Sequence, residues 1–268
     1  MAIALSCSTS CVPHHSRADA MRAIADAGYK YIEAFSYDTE SRLHPDIVFP
    51  EQVLDDLSRV GLKLSGLNIS DISVGSNLTG IKREIAFAAS LRLDNVALRG
   101  GIRTERDMNA LLNSLRILVP FARAHGITIN IRNFHNTRVE TLDDFQTVFG
   151  TISNPGLGVV LDIGQFCSSK IDPAAAIDRF IGKTHLIYTR DQIGGRVVHF
   201  GKGEIDNPGL LSRLASRGYE GFIVVEPEVH GRGFERHIKE AREYLERIIG
   251  GAQGGRSASS TDLAPVNE

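Results

Sequence analysis

A chain of 268 residues with 42% apolar and 23% charged side chains has an ordinary globular composition, which excludes a disordered polymer. Its 30 basic and 32 acidic residues leave a net charge of -2, so it carries no electrostatic footprint for DNA, RNA or an anionic membrane surface. No run approaches ~18 consecutive apolar residues, and the opening MAIALSCSTS lacks a basic region followed by an apolar one; no membrane partner and a cytoplasmic location are expected.

Short β-branched runs alternate with segments of helical period about every 30 residues, the length of one strand-plus-helix unit. The first run, IALSCS (2–7), leads into a helix behind the N-cap candidate Ser16, with Met21, Ile24 and Ala25 on one face. YIEAFS (31–36), KLSGLNIS (63–70) and NVALRG (95–100) follow as strands. Behind Thr104, a long helix then carries Met108, Leu111, Leu112, Leu115 and Leu118 on one face. ITINIRN (127–133) precedes a helix capped by Thr141, and GVVLDIG (158–164) precedes one opened by Asp172 and Pro173. THLIYTRD (184–191) and FIVVE (222–226) bring the strand candidates to eight. Gly28, Gly61, Gly126 and Gly218 each follow a helix, where a left-handed residue is wanted.

Eight such units with right-handed crossovers close into a single α/β domain, a parallel eight-stranded (β/α)8 TIM barrel over residues 1–249. Residues 250–268, rich in Gly, Ser and Ala, read as a disordered C-terminal tail. The three cysteines, Cys7, Cys11 and Cys167, have no paired spacing and read as small buried hydrophobes.

A barrel of this type keeps its active site at the C-terminal ends of the strands. The alternation of side chains along each strand selects an inward set of Glu33, Asn68, Arg99, Arg132, Asp162, Tyr188 with Arg190, and Glu226. Charged groups ending otherwise apolar strands need a partner or a ligand, and this group as a whole points to function. His135 on the loop after the fifth strand, and Lys202 in the segment GKGEID, are further binding candidates. His14 and His15 read as a solvated loop, and His185, of opposite parity to Tyr188, as a packed core residue.

The stretches AIADAGYKYIEAF (23–35), GVVLDIGQF (158–166), DPAAAIDRFIGKTHLIYTRD (172–191) and HFGKGEIDNPGLLSRLASRGYEGFIVVE (199–226) resemble the xylose isomerase-like TIM barrel family, from residue 2 to about 249. The resemblance implies sugar isomerase, epimerase or dehydratase (lyase) chemistry of carbohydrate metabolism. It also implies one divalent metal, held by a Glu, an Asp, a His and a Glu ending the fifth to eighth strands. Asp162 and Glu226 match two of these positions, whereas Arg132 stands at the Glu position and Tyr188 at the His position. Gln165 stands where a substrate-contacting His is common.

A guanidinium has five donors and no lone pair to offer a metal. The expectation is therefore no cofactor, with Mn or Mg on Asp162 and Glu226 as the alternative and Arg132 in the cation's electrostatic place. The leading reading is proton abstraction next to a carbonyl, with Glu226 as base, Glu33 or Tyr188 as acid, Asp162 in the catalytic group and Arg132 stabilising an enediolate oxygen. Arg99 and Arg190 would hold an anionic substrate, with Asn68, Gln165, Asn133, His135 and Lys202 completing its surroundings. Two other readings are a non-catalytic binding or partner subunit, and a metal-dependent sugar isomerase or epimerase with atypical ligands. A homo-oligomer is compatible with all three.

Overall fold

The computed structural model describes residues 3–11, 15–37, 43–73, 75–103, 107–226 and 233–259. Seven parallel strands follow one another around a barrel: β1 (Ala4–Ser8), β2 (Tyr31–Phe35), β3 (Lys63–Asn68), β4 (Asn95–Arg99), β5 (Thr128–Arg132), β6 (Leu157–Asp162) and β7 (Thr184–Thr189). After β7 the chain makes a small antiparallel hairpin, β8 (Asp191–Ile193) and β9 (Arg196–Val198). It then returns as β10 (Phe222–Val225), which pairs with both β7 and β1 and closes the eight-stranded barrel. All eight strand expectations hold; β7 stops short of Asp191 because that residue already opens the hairpin.

The helices are α1 (Arg17–Asp26), α2 (Pro50–Val60), α3 (Leu78–Ser90), α4 (Asp107–Ala124), α5 (Leu142–Thr151), α6 (Ile163–Ser168), α7 (Pro173–Phe180), α8 (Asn207–Ser216) and α9 (Phe234–Ser259). Their starts are chemically marked. Ser16, Thr141 and Asp172 each accept a backbone N–H of the first turn, and Thr141 forms a reciprocal box with Asp144. Gly28, Gly61, Gly126 and Gly218 take φ of 90°, 71°, 73° and 73°, the left-handed geometry that follows a helix at low cost only for glycine. Thr104 and His14 lie outside the described residues.

Leu111, Leu115 and Leu118 of α4 are buried against the barrel, as are Met21 and Ile24 of α1, each removing about 1.5 to 3 kcal/mol of apolar surface from water. Inside the barrel Ala97, Val160, Leu186 and Val224 pack beneath Tyr188. Above this layer lie the C-terminal ends of the strands, where barrels of this type keep their active sites.

Two expectations need correction. The segment from residue 250 continues α9 to Ser259 instead of leaving the helix, since low apolar content limits burial and not the propagation of helical hydrogen bonds from an anchored start. Residues 260–268 lie outside the described residues. His185 is exposed, not packed against the helices: the register between β6 and β7 shifts at Val159/Val160 and brings its ring beside Gly158.

Candidate active site

The inward parity read from the sequence is the one the barrel adopts. Ala97, Val160, Leu186 and Val224 point to the axis. Two residues further along each strand stand Arg99, Asp162, Tyr188 and Glu226, with Glu33 and Arg132 on β2 and β5. Register sets Arg99 beside Arg132 and Asp162 beside Tyr188.

Arg132 lies at the centre, 2% exposed. Its Nε and Nη2 donate to Asp162 Oδ2 at 3.1 and 2.5 Å, and Nη2 also donates to Glu226 Oε2. The guanidinium carbon lies 3.8 Å from the centroid of the Tyr188 ring, a stacked cation on an aromatic face. Nη1 makes no hydrogen bond to a described residue.

The remaining carboxylate oxygens are also engaged. Asp162 Oδ1 accepts the Gln165 N–H at 3.0 Å, which makes Asp162 the N-cap of α6, and lies 3.8 Å from Arg190 Nη2. Gly164 leaves room for this, since a Cβ there would overlap the Arg190 side chain. Glu226 Oε1 accepts Ser10 Oγ at 3.3 Å, and Ser10 Oγ lies 2.8 Å from Ser8 Oγ. Burial pushes Glu226 above the ordinary carboxylate value while the Arg132 charge pulls it back.

A second cluster adjoins the first. Asn68 Nδ2 donates to Glu33 Oε1 and to the Tyr188 hydroxyl. Glu33 is fully buried without a bonded cation, and burial pushes it up to about 8 against the opposing hydrogen bond from Tyr188 and the Arg132 charge. Burial also pushes the Tyr188 phenol well above its usual value. Glu33 Oε2 and Asn68 Oδ1 are buried without a hydrogen-bond partner among the described residues. At neutral pH burial therefore favours the protonated form of Glu33, beside two ion-paired carboxylates, Asp162 and Glu226.

Other candidates are placed differently. Arg99 is forked to Asp71, its Nε 3.0 Å from both oxygens and its Nη2 2.9 Å from Oδ2, and it lies against the Phe134 ring. Two of its donors are thus engaged by a carboxylate that only the fold of the β3–α3 loop brings near. Asn133 clamps the β6 backbone, donating to Asp162 O at 3.0 Å and accepting from Asp162 N at 2.7 Å. The Gln165 side chain accepts the His135 N–H at 3.1 Å, and the exposed His135 ring faces Glu140 at 2.8 Å. Lys202 is exposed, and no hydrogen bond or ion pair among the described residues joins it to the mouth. Its segment is held by Asp191, whose carboxylate accepts the N–H groups of Gly201, Gly203, Gln192 and Ile205.

Sequence reasoning missed Ser8 and Ser10. The parity rule applied to β1 would have found Ser8.

The donor set does not fit a divalent ion. Of the four positions implied to hold one, two are carboxylates already bridged by a cation, one is that cation and one presents an aromatic face. A doubly charged ion about 4 Å from the guanidinium would meet a repulsion of about 8 kcal/mol at an effective dielectric of about 20. Among the described residues no group of three or more His, Cys, Asp or Glu is placed to hold a metal.

The sequence model described as xylose isomerase-like TIM barrel matches residues 21–248. Among curated proteins none matches the chain. Among solved structures, L-ribulose 3-epimerase aligns with a TM-score of 0.81 at 18% identity, covering 99% of this chain and 100% of that one. A probable 3-DHS dehydratase from Bacillus anthracis aligns at 0.76 and 15%, covering 91% and 98%. A xylose isomerase-like TIM barrel protein from Mycobacterium smegmatis in complex with magnesium aligns at 0.76 and 15%, covering 93% and 97%. No helix among the described residues is long and apolar enough to cross a membrane.

Proposed function

The chain belongs to the xylose isomerase-like TIM barrel family, and from that premise we propose that it is an isomerase, epimerase or dehydratase that abstracts a proton next to the carbonyl of a polyhydroxylated substrate. The observation that carries this reading is the pair of carboxyl groups kept in different protonation states within one buried mouth.

Glu226 is the base. Arg132 keeps it ionised, and burial raises its basicity toward that needed at neutral pH. The substrate C–H proton passes to Glu226, and the electron pair moves onto the carbonyl oxygen. Arg132 stabilises that oxyanion through Nη1, the donor it does not use on a described residue, at a position almost without exposure. Glu33, neutral at pH 7 and hydrogen-bonded by Tyr188 and Asn68, is the acid. In epimerisation it gives its proton to the opposite face of the carbon; in isomerisation it protonates the oxyanion and takes the proton of the adjacent hydroxyl while Glu226 returns its own to the former carbonyl carbon. In dehydration it protonates the departing hydroxyl as the oxyanion collapses to the carbonyl. Glu33 Oε2 and Asn68 Oδ1 are the atoms left to meet substrate hydroxyls.

The substrate is recognised by its hydroxyls more than by charge, because Arg99, Arg132 and Arg190 each already face a carboxylate. The test is a panel of ketoses, keto-glycosides and hydroxylated keto acids in D2O, followed by proton NMR for exchange next to the carbonyl. Glu226→Gln should reduce exchange by at least ~10³-fold with folding unchanged, a loss within the range for a removed catalytic base. Absence of exchange across the panel, or exchange indifferent to Glu226→Gln, would overturn the proposal and leave the non-catalytic reading.

A further inference from the structure

We propose that this barrel carries its cation within the chain: the guanidinium of Arg132 occupies the point on which Asp162 and Glu226 converge and excludes a divalent ion from it. The inference deepens the proposed reaction, for which it makes the oxyanion donor a side chain, but its binding test does not depend on that reaction.

Three features of the mouth support it. Arg132 Nη2 is shared between Asp162 Oδ2 and Glu226 Oε2, so one atom holds the position where two carboxylates would grip an ion. The other oxygen of each carboxylate is engaged as well, Asp162 Oδ1 by the first turn of α6 and Glu226 Oε1 by Ser10. An incoming ion would have to displace bonds on both residues.

Nor can the guanidinium step aside. It is sealed against the Tyr188 ring at 3.8 Å, with the Phe134 ring at 5.8 Å, and is almost without exposure. Moved off its carboxylates it would remain a buried and unpaired charge. The Tyr188 hydroxyl accepts from Asn68 Nδ2 beside Glu33, so the phenol oxygen is engaged there and its ring faces the guanidinium.

Two side chains, Arg132 and Tyr188, thus stand where the family resemblance implies two metal ligands. A fixed guanidinium also differs from a metal in what it can do: it offers directed N–H donors and cannot bind two substrate oxygens through open coordination positions.

The experiment is calorimetry together with Mn2+ electron paramagnetic resonance on the full chain after treatment with a chelator. Wild type is expected to bind Mn2+ at this site no more tightly than about 1 mM, whereas Arg132→Glu should gain one site per chain at least ~100-fold tighter. That gain should disappear when Asp162→Asn is added. Arg132→Gln, which removes the cation without adding a third carboxylate, should show a smaller gain and serves if Arg132→Glu does not fold. Micromolar binding of one Mn2+ by wild type, abolished by Asp162→Asn or Glu226→Gln, overturns the inference, as does the absence of any gain in both Arg132 variants. If wild type excludes Mn2+ yet exchanges no ketose proton, the proposed reaction fails while the built-in cation stands.

Discussion

Glu33 and His237 illustrate how burial turns single side chains into opposite dependences of stability on pH. Burial pushes Glu33 from its ordinary 4.5 to about 8. The folded state keeps a proton that the unfolded chain releases, so stability falls as pH rises from about 4.5 and levels off above about 8. His237 is buried with both ring nitrogens lacking a hydrogen-bond partner among the described residues, and burial, reinforced by the nearby His199, lowers it from 6.5 to about 4. Its contribution is complete above about 6.5 and is lost as pH falls toward 4. Thermal unfolding should therefore show a smaller decline between about pH 4.5 and 8 for Glu33→Gln and a smaller acid loss below about pH 6.5 for His237→Phe, which keeps an aromatic ring in place. Curves parallel to wild type in both variants would refute the assignment. Any activity found should also fall on an alkaline limb near pH 8, absent in Glu33→Gln.

At the scale of elements, the hairpin β8–β9 and the loop after it are held by one side chain. Asp191 accepts four backbone N–H groups between Gln192 and Ile205, and Gly203 is glycine because a Cβ would overlap this carboxylate. Asp191→Ala should cost roughly 2 to 4 kcal/mol, since several charge-assisted bonds are lost together and their donors stay partly buried. Hydrogen exchange should locate the damage at Gly201 and Gly203 while β5 and β6 stay protected. Uniform loss of protection would mean that Asp191 supports the barrel and not its loop. The N-caps belong to the same scale: Thr141→Ala should cost about 1 kcal/mol in urea unfolding.

The whole molecule is closed by the pairing of β10 with β1, and α9 covers that seam with Ile238, Ala241, Leu245 and Ile249, all buried. Gly250 and Gly251 are exposed. Truncation after Gly251 should leave the melting temperature within a few degrees of the full chain, because ~0.5 kcal/mol is typical for changes away from buried features. Truncation before Leu245 should unfold the protein by uncovering its core. A large loss in the first variant would place part of the remaining helix in the fold.

What the sequence determined by itself is local in origin. Periods of 2 and 3.6 residues, N-caps and glycines after helices are set by neighbours a few positions apart, so eight β/α units and the inward parity of Arg132, Asp162, Tyr188 and Glu226 were legible in the chain. The chemical identity of Arg132 was legible too, since a guanidinium lacks lone pairs in any fold. Only the tertiary structure decided the partners. Asp71 reaches Arg99 because the β3–α3 loop folds across the mouth, and Ser10 reaches Glu226 because β10 closes onto β1. Arg132 is locked by residues from β6 and from the end of β10. Those meetings depend on barrel closure and burial, which join groups distant in sequence and set the protonation of Glu33; a strand's own residues carry no record of either.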